Sequence, residues 1–158
     1  FISNLLSIIY LSIFSTIIWV YLSSSILEQI ASLIFILLIC VFTDIGGFIF
    51  GKLIGGKKLT KISPNKTFSG MIGSFIFALI FGYLFYYSQK NILLFEMNVF
   101  ILIMIVSFIS QIGDLFISFL KRKANIKDTG SVLPGHGGIL DRIDGILLAL
   151  PIGIILIS

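Results

Sequence analysis

The side chains able to do chemistry are crowded into one short segment. From Ser118 to Asp144 the chain reads SFLKRKANIKDTGSVLPGHGGILDRID, which holds Lys121, Arg122, Lys127, Asp128, Asp141, Arg142, Asp144 and the single histidine, His136. Carboxylate oxygens suit hard divalent cations such as Mg²⁺, and Lys and Arg suit phosphate oxygens. Asp141 and Asp144 are three residues apart, so on a helix both project from one side. Charge complementarity at a helix start would explain one such Asp, but not the whole DRID run beneath PGHGG. Just upstream, Ser107, Gln111, Asp114, Ser118 and Lys121 are spaced by four, three, four and three. They share one face of an otherwise apolar helix. Such a stripe is expected to face the bundle interior or a wet cavity. Asp114, Asp141 and Asp144 are the candidate Mg²⁺ ligands, with Asp44 joining them or sitting behind them. The competing reading of Asp114 is a carboxylate paired with Lys or Arg for packing or insertion. Zinc normally takes several His or Cys ligands, so His136 is expected to bond phosphate or orient a neighbour. Gly135, Gly137 and Gly138 suggest a turn that exposes backbone N–H groups around it.

A second constellation runs through Thr43, Asp44, Gly46, Gly47, Gly51, Lys52 and Gly55, then Ser63, Pro64, Lys66, Thr67 and Gly70. Gly47, Gly51 and Gly55 recur every four residues, which places them on one helix face. That pattern fits close helix packing, or close approach of backbone to phosphate. GKLIGGKKLT lacks the spacing of a P-loop. Lys66, in the SPNKT turn, is the better phosphate candidate because it is expected near a helix start. Lys57, Lys58 and Lys61 read as topology charges and lipid-headgroup contacts.

These residues must be positioned by membrane helices. The chain has 158 residues, of which 58% are hydrophobic and only 11% charged, with mean hydropathy +1.15. A soluble domain could not cover so much apolar surface with so few charges. Apolar runs of spanning length are read at Leu5 to Leu22, Ile30 to Phe50, Phe68 to Tyr87, Val99 to Leu120 and Ile143 to Ile157. None alternates as a barrel strand would. The expected fold is therefore all-α: a polytopic bundle of about five spanning helices, forming a single integral membrane domain over 1–158. Ile92 to Met97 is expected at the interface. The net charge of +4 does not point to nucleic acid, because the cations flank the apolar runs. The second-to-third connection holds Lys52, Lys57, Lys58, Lys61 and Lys66, and the fourth-to-fifth holds Lys121, Arg122, Lys123 and Lys127. The positive-inside bias predicts both, and hence the active-site loops, in the cytoplasm. The N-terminus is then inside and Ser158 outside. Cys40, the single cysteine, excludes an intrachain disulfide and reads as a packing residue. Phe1 in place of Met is compatible with processing, trimming or missing N-terminal spans.

The long run ending at Asp144 resembles the phosphatidate cytidylyltransferase (CDP-diacylglycerol synthase) family. The positions that carry the resemblance are Ser118, Lys121, Arg122, Lys127, Asp128, Gly130, Leu133, Pro134, His136, Gly137, Gly138, Asp141, Arg142 and Asp144. The run from Thr43 to Gly70 resembles the same family, so the likeness covers about residues 42–144. It departs at position 69, where relatives often carry Glu and this chain has Ser69. The resemblance implies transfer of a cytidylyl group from CTP to phosphatidate, with pyrophosphate released. It implies Mg²⁺, with a second cation allowed, held by Asp114, Asp141 and Asp144. Lys66, Lys121, Arg122, Lys127 and Arg142 are expected to bind triphosphate or lipid phosphate. Ser63, Asp44, Ser118, Asp128, Gly137 and Gly138 are expected to help hold the nucleotide. The expected place is the cell (inner) membrane, with membrane lipid, CTP and a second copy of the chain as partners. Rival readings are a cytidylyltransferase for an ether lipid, a polyprenol or dolichol kinase, and an ion channel or transporter.

Overall fold

The computed structural model describes residues 12–21, 26–60, 63, 66–124, 126 and 140–157; at residues 26 and 140–142 it describes the backbone only. Five helices lie among the described residues: α1 (Ser12–Tyr21), α2 (Ile26–Leu53), α3 (Phe68–Ser88), α4 (Val99–Lys123) and α5 (Leu140–Ile157). The all-α expectation holds. By length and composition α2, α3 and α4 can cross a membrane, while α1 and the apolar part of α5 are shorter as described. The expected first span begins at Leu5, and its start lies outside the described residues.

Local chemistry sets the helix ends. Glu28 lies in the first turn of α2 and Lys52 in its last, each opposing the partial charge of the helix terminus. Thr67 caps α3 by accepting a hydrogen bond from the Gly70 amide at 3.1 Å. Asn98 caps α4 by accepting from the Phe100 amide at 2.9 Å, and Lys121, Arg122 and Lys123 occupy that helix's last turn. Backbone groups within the bilayer have no water to bond, so helices are the economical way to satisfy them.

A core of Phe35, Ile36, Ile39, Leu102, Ile103, Val106, Leu150 and Ile154 joins α2, α4 and α5. Leu93, between α3 and α4, is fully buried in the same core. The Ile92-to-Met97 segment, expected at the interface, inserts one side chain into the bundle. Large apolar side chains such as Trp19, Phe48, Ile80 and Ile155 stay exposed, as expected where the surrounding solvent is hydrocarbon.

The most extensive helix pairing is between α2 and α3, and small residues allow it. A Cβ on Gly46 would stand 2.5 Å from the Gly73 carbonyl oxygen, and one on Gly70 would stand 2.8 Å from that of Gly47. Phe42 and Phe81 stack across the same seam with centroids 4.2 Å apart. Gly47 and Gly51 thus act as packing glycines. Gly55 corrects the sequence reading: it lies beyond the end of α2, with φ 63°, beside Gly56 with φ 106°. The every-four spacing continued past the end of the helix. These positive φ values are open to glycine at little cost, and they turn the chain back towards α3.

Candidate active site

The connection after α2 folds back on itself and presents Lys66. Lys58 and Thr67 form an isolated antiparallel bridge. The Leu59 amide donates to the Lys66 carbonyl at 2.7 Å, and the Phe68 amide to that of Lys57 at 3.1 Å. Ser69 fastens this turn to α3. Its hydroxyl lies 2.9 Å from Thr67 Oγ1 and donates to the Gly55 carbonyl at 2.5 Å. Ser69, the position at which the resemblance was expected to depart, therefore has a visible task in holding the loop.

Lys66 reaches across to α4 and forms an ion pair with Asp114 Oδ2; the two side chains are 26% and 27% exposed. Ser118, one turn further on, donates to Asp114 Oδ1 at 3.4 Å. On α5, Asp144 is buried. Its Oδ1 accepts from the Gly145 amide at 2.9 Å, and Lys121 Nζ stands 3.9 Å from its Oδ2. Gly113 and Gly145 bring α4 and α5 together here: a Cβ on Gly113 would lie 3.1 Å from the Asp144 carbonyl oxygen. The expected stripe thus turns inward along its whole length. At its far end Thr43 donates to Ser107 at 2.8 Å in a fully buried bond.

Asp44, Ser63, Lys66, Asp114 and Asp144 all line one cavity of about 470 Å³. Each of the three carboxylates lies within coulombic reach of the other two. Lys66 and Lys121 are the cations that face them. Among the described residues, no three His, Cys, Asp or Glu side chains stand close enough together to hold one metal ion. The backbone of Asp141 lies in the first turn of α5, and its side chain is outside what is described. The carboxylate oxygens of Asp114 and Asp144 are the donor type that a hard divalent cation takes, so the chemistry of the donors suits Mg²⁺, while the described side chains do not by themselves gather into a site for it. The ion pair with Lys66 shows that the competing reading of Asp114 also has a physical basis.

Other expected residues are distributed differently. Arg122 donates to the Ile126 carbonyl at 3.4 Å, an exposed contact that closes the end of α4. It does not line the cavity. The backbone of Arg142 lies in α5, with its side chain outside what is described. Lys127, Asp128, His136, Gly137 and Gly138, together with Lys61 and Pro64, lie outside the described residues. The cavity also has walls that the sequence analysis did not assign to a site: Thr67 and Ser74 on the α3 side, Gln111 on α4, and the apolar Phe48, Phe108 and Ile112. Gln111 was legible as part of the stripe. Ser74 follows Gly70 by four residues, a small-residue spacing that reads first as helix packing.

The cytidylyltransferase family profile matches residues 1–158. The phosphatidate cytidylyltransferase of Staphylococcus aureus (strain COL) is 43% identical over 129 residues, which are 79% of this chain and 48% of that protein. That of Rickettsia bellii is 44% identical over 115 residues, 69% of this chain and 50% of the relative. That of Staphylococcus saprophyticus is 40% identical over 136 residues, 85% and 52% respectively. The chain spans about half the length of the curated relatives it matches. A match along the whole sequence, together with this identity to several relatives, places the chain in the cytidylyltransferase family.

Proposed function

We propose that the protein transfers the cytidylyl group of CTP to phosphatidate, forming CDP-diacylglycerol and pyrophosphate. The observation that carries this reading is the mixed character of one cavity. Asp44, Lys66, Asp114 and Asp144 share it with the exposed apolar residues Phe48, Phe108 and Ile112. An anionic headgroup on an acyl lipid needs both kinds of wall. The names of the relatives point to the same reaction.

A phosphate oxygen of the lipid attacks the α-phosphorus of CTP, and the bond from that phosphorus to the bridging oxygen of pyrophosphate breaks. A phosphate nucleophile is already ionised near neutral pH, so the site needs no strong base. The obstacle is the repulsion between two polyanions, and the remedy is positioning and electrostatic stabilisation. Lys66, fixed by the folded loop in the cavity wall, meets phosphate oxygens there, and Lys121, beside Asp144 and outside that wall, is the second phosphate cation of this reading. Asp114 and Asp144, with Asp141, would hold Mg²⁺. The ion, when bound, neutralises charge on the transferred group and on the departing pyrophosphate. Ser118 orients Asp114, and the Gly145 amide orients Asp144. Lys127, Arg142, Asp128, His136, Gly137 and Gly138 complete the phosphate-binding loop in this reading. Arg122 serves the end of α4. The bias of Lys and Arg supports a site at the cytoplasmic face of the cell membrane. A homodimer is the proposed assembly, checked by the mass of the detergent-purified protein.

Purified protein supplied with labelled CTP, phosphatidate and Mg²⁺ should yield lipid-linked CMP and pyrophosphate in equal amounts. Release of CDP with a phosphorylated lipid would show a kinase and refute the proposal.

A further inference from the structure

Gln111 stands in the cavity wall with a donor that no described residue uses. Gln111 is one of the residues lining the cavity, and its amide Nε2 is buried with no hydrogen-bond partner among the described residues. A buried donor left unpaired is costly, so a ligand that brings an acceptor there gains from meeting it. The position on α4 says which acceptor. Gln111 precedes Asp114 by three residues on the same face, which sets it about 4.5 Å further from the basic end of the helix. The apolar Phe108, one turn further still from that end, and Ile112 line the same cavity. The cations Lys66 and Lys121 pair with Asp114 and Asp144, towards the basic end of the helix. The charged oxygens of a bound lipid therefore have partners of their own, and Gln111 faces the part that leads towards the acyl chains. The acceptors on that part are uncharged ester carbonyls, and a neutral amide is matched to them.

Resting on phosphatidate as the substrate, we propose that Gln111 donates a hydrogen bond to an acyl ester carbonyl of the lipid and so selects ester-linked over ether-linked lipid. An ether-linked lipid has the same phosphate and glycerol backbone but no carbonyl. It would leave the Nε2 donor buried and unpaired, the circumstance in which a site discriminates most strongly.

The test compares kcat/KM for diacyl and dialkyl glycerol phosphate, with CTP and Mg²⁺, in the full-length protein and in Gln111→Met. Met keeps the length of the side chain and removes the donor. Because the ratio is taken within one preparation, the folded fraction cancels. The unaltered protein should prefer the diacyl lipid by about tenfold or more, and Gln111→Met should bring the ratio to within about twofold. Gln111→Leu is run beside it, with size-exclusion profiles to show folding. No preference in the unaltered protein, or an undiminished preference in the variants, overturns the inference. Equal loss on both lipids, or loss of all turnover in folded variants, overturns it too, by assigning Gln111 to the phosphate that the two lipids share. Failure of the unaltered protein to turn over either lipid overturns the proposed reaction, and this inference with it.

Discussion

Replacing Asp114 by Asn separates its part in holding the bundle from its part in the reaction. The change is nearly isosteric and removes one negative charge opposite Lys66. The two side chains are 26% and 27% exposed, so the pair is neither a surface bridge nor a sealed one. Exposed pairs contribute about 0–1 kcal/mol, and breaking a fully buried one costs about 3–5 kcal/mol. Lys66 would keep the open cavity and the field of Asp44 and Asp144 as compensation. The expected stability loss is therefore about 1–2 kcal/mol. Turnover should fall far more. A group that organises charge around a transferring phosphoryl centre contributes about 100-fold or more, or about 2.7 kcal/mol of barrier. Stability would be read from thermal melting in detergent, and turnover from lipid-linked CMP formed per folded protein. The double variant Lys66→Met with Asp114→Asn completes the comparison. It should recover part of the lost stability, because no unpaired charge remains, and none of the lost turnover. Near-normal turnover in folded Asp114→Asn, or its return in the double variant, would refute the assignment of Asp114 to the chemistry and leave it as a structural ion pair.

Four further outcomes are expected. Chelation by EDTA should abolish turnover and added Mg²⁺ should restore it; activity that persists in EDTA would remove the metal from the reading. Lys66→Gln should raise the KM for CTP by about tenfold, the effect of losing one charge-assisted phosphate contact, measured by initial rates at saturating lipid. Gly46→Ala should destabilise the fold by about 1–3 kcal/mol through overpacking, because its Cβ meets the backbone carbonyl of Gly73. Gly55→Ala, whose added Cβ would meet nothing within 4 Å but where φ is 63°, should cost only about 1 kcal/mol in backbone strain; equal melting shifts for the two would refute the close-crossing account. Single cysteines at positions 58 and 123, in a Cys40→Ala background, should label from the same side of sealed vesicles, and labelling from opposite sides would overturn the proposed topology.

Much of the molecule is written locally. Apolar runs without alternation mean helices in a medium that cannot satisfy free backbone groups, and Thr67 and Asn98 mark where two of those helices begin. The spacing of Ser107, Gln111, Asp114, Ser118 and Lys121 sets them on one face whatever packs against it. The length and order of the Ser118-to-Asp144 run made the family legible before any helix was placed. Other features depended on the packing of distant segments. Periodicity says which side chains share a face of one helix, but not which helices face one another. The meeting of Asp44, Lys66, Asp114 and Asp144 in one cavity therefore needed four separate segments to come together. The close α2–α3 crossing is decided by glycines on both helices at once, and the same spacing misled at Gly55, because Gly55 and Gly56 form the turn after α2 stops at Leu53 and do not extend its face. Ser69 read only as a departure from the relatives' Glu until the turn at Gly55 was seen to accept its hydrogen bond. Lys66 read as a phosphate ligand and Asp114 as a metal ligand. Only the folded chain brings them into contact, because electrostatic partners are selected by distance in space and not by order in the chain.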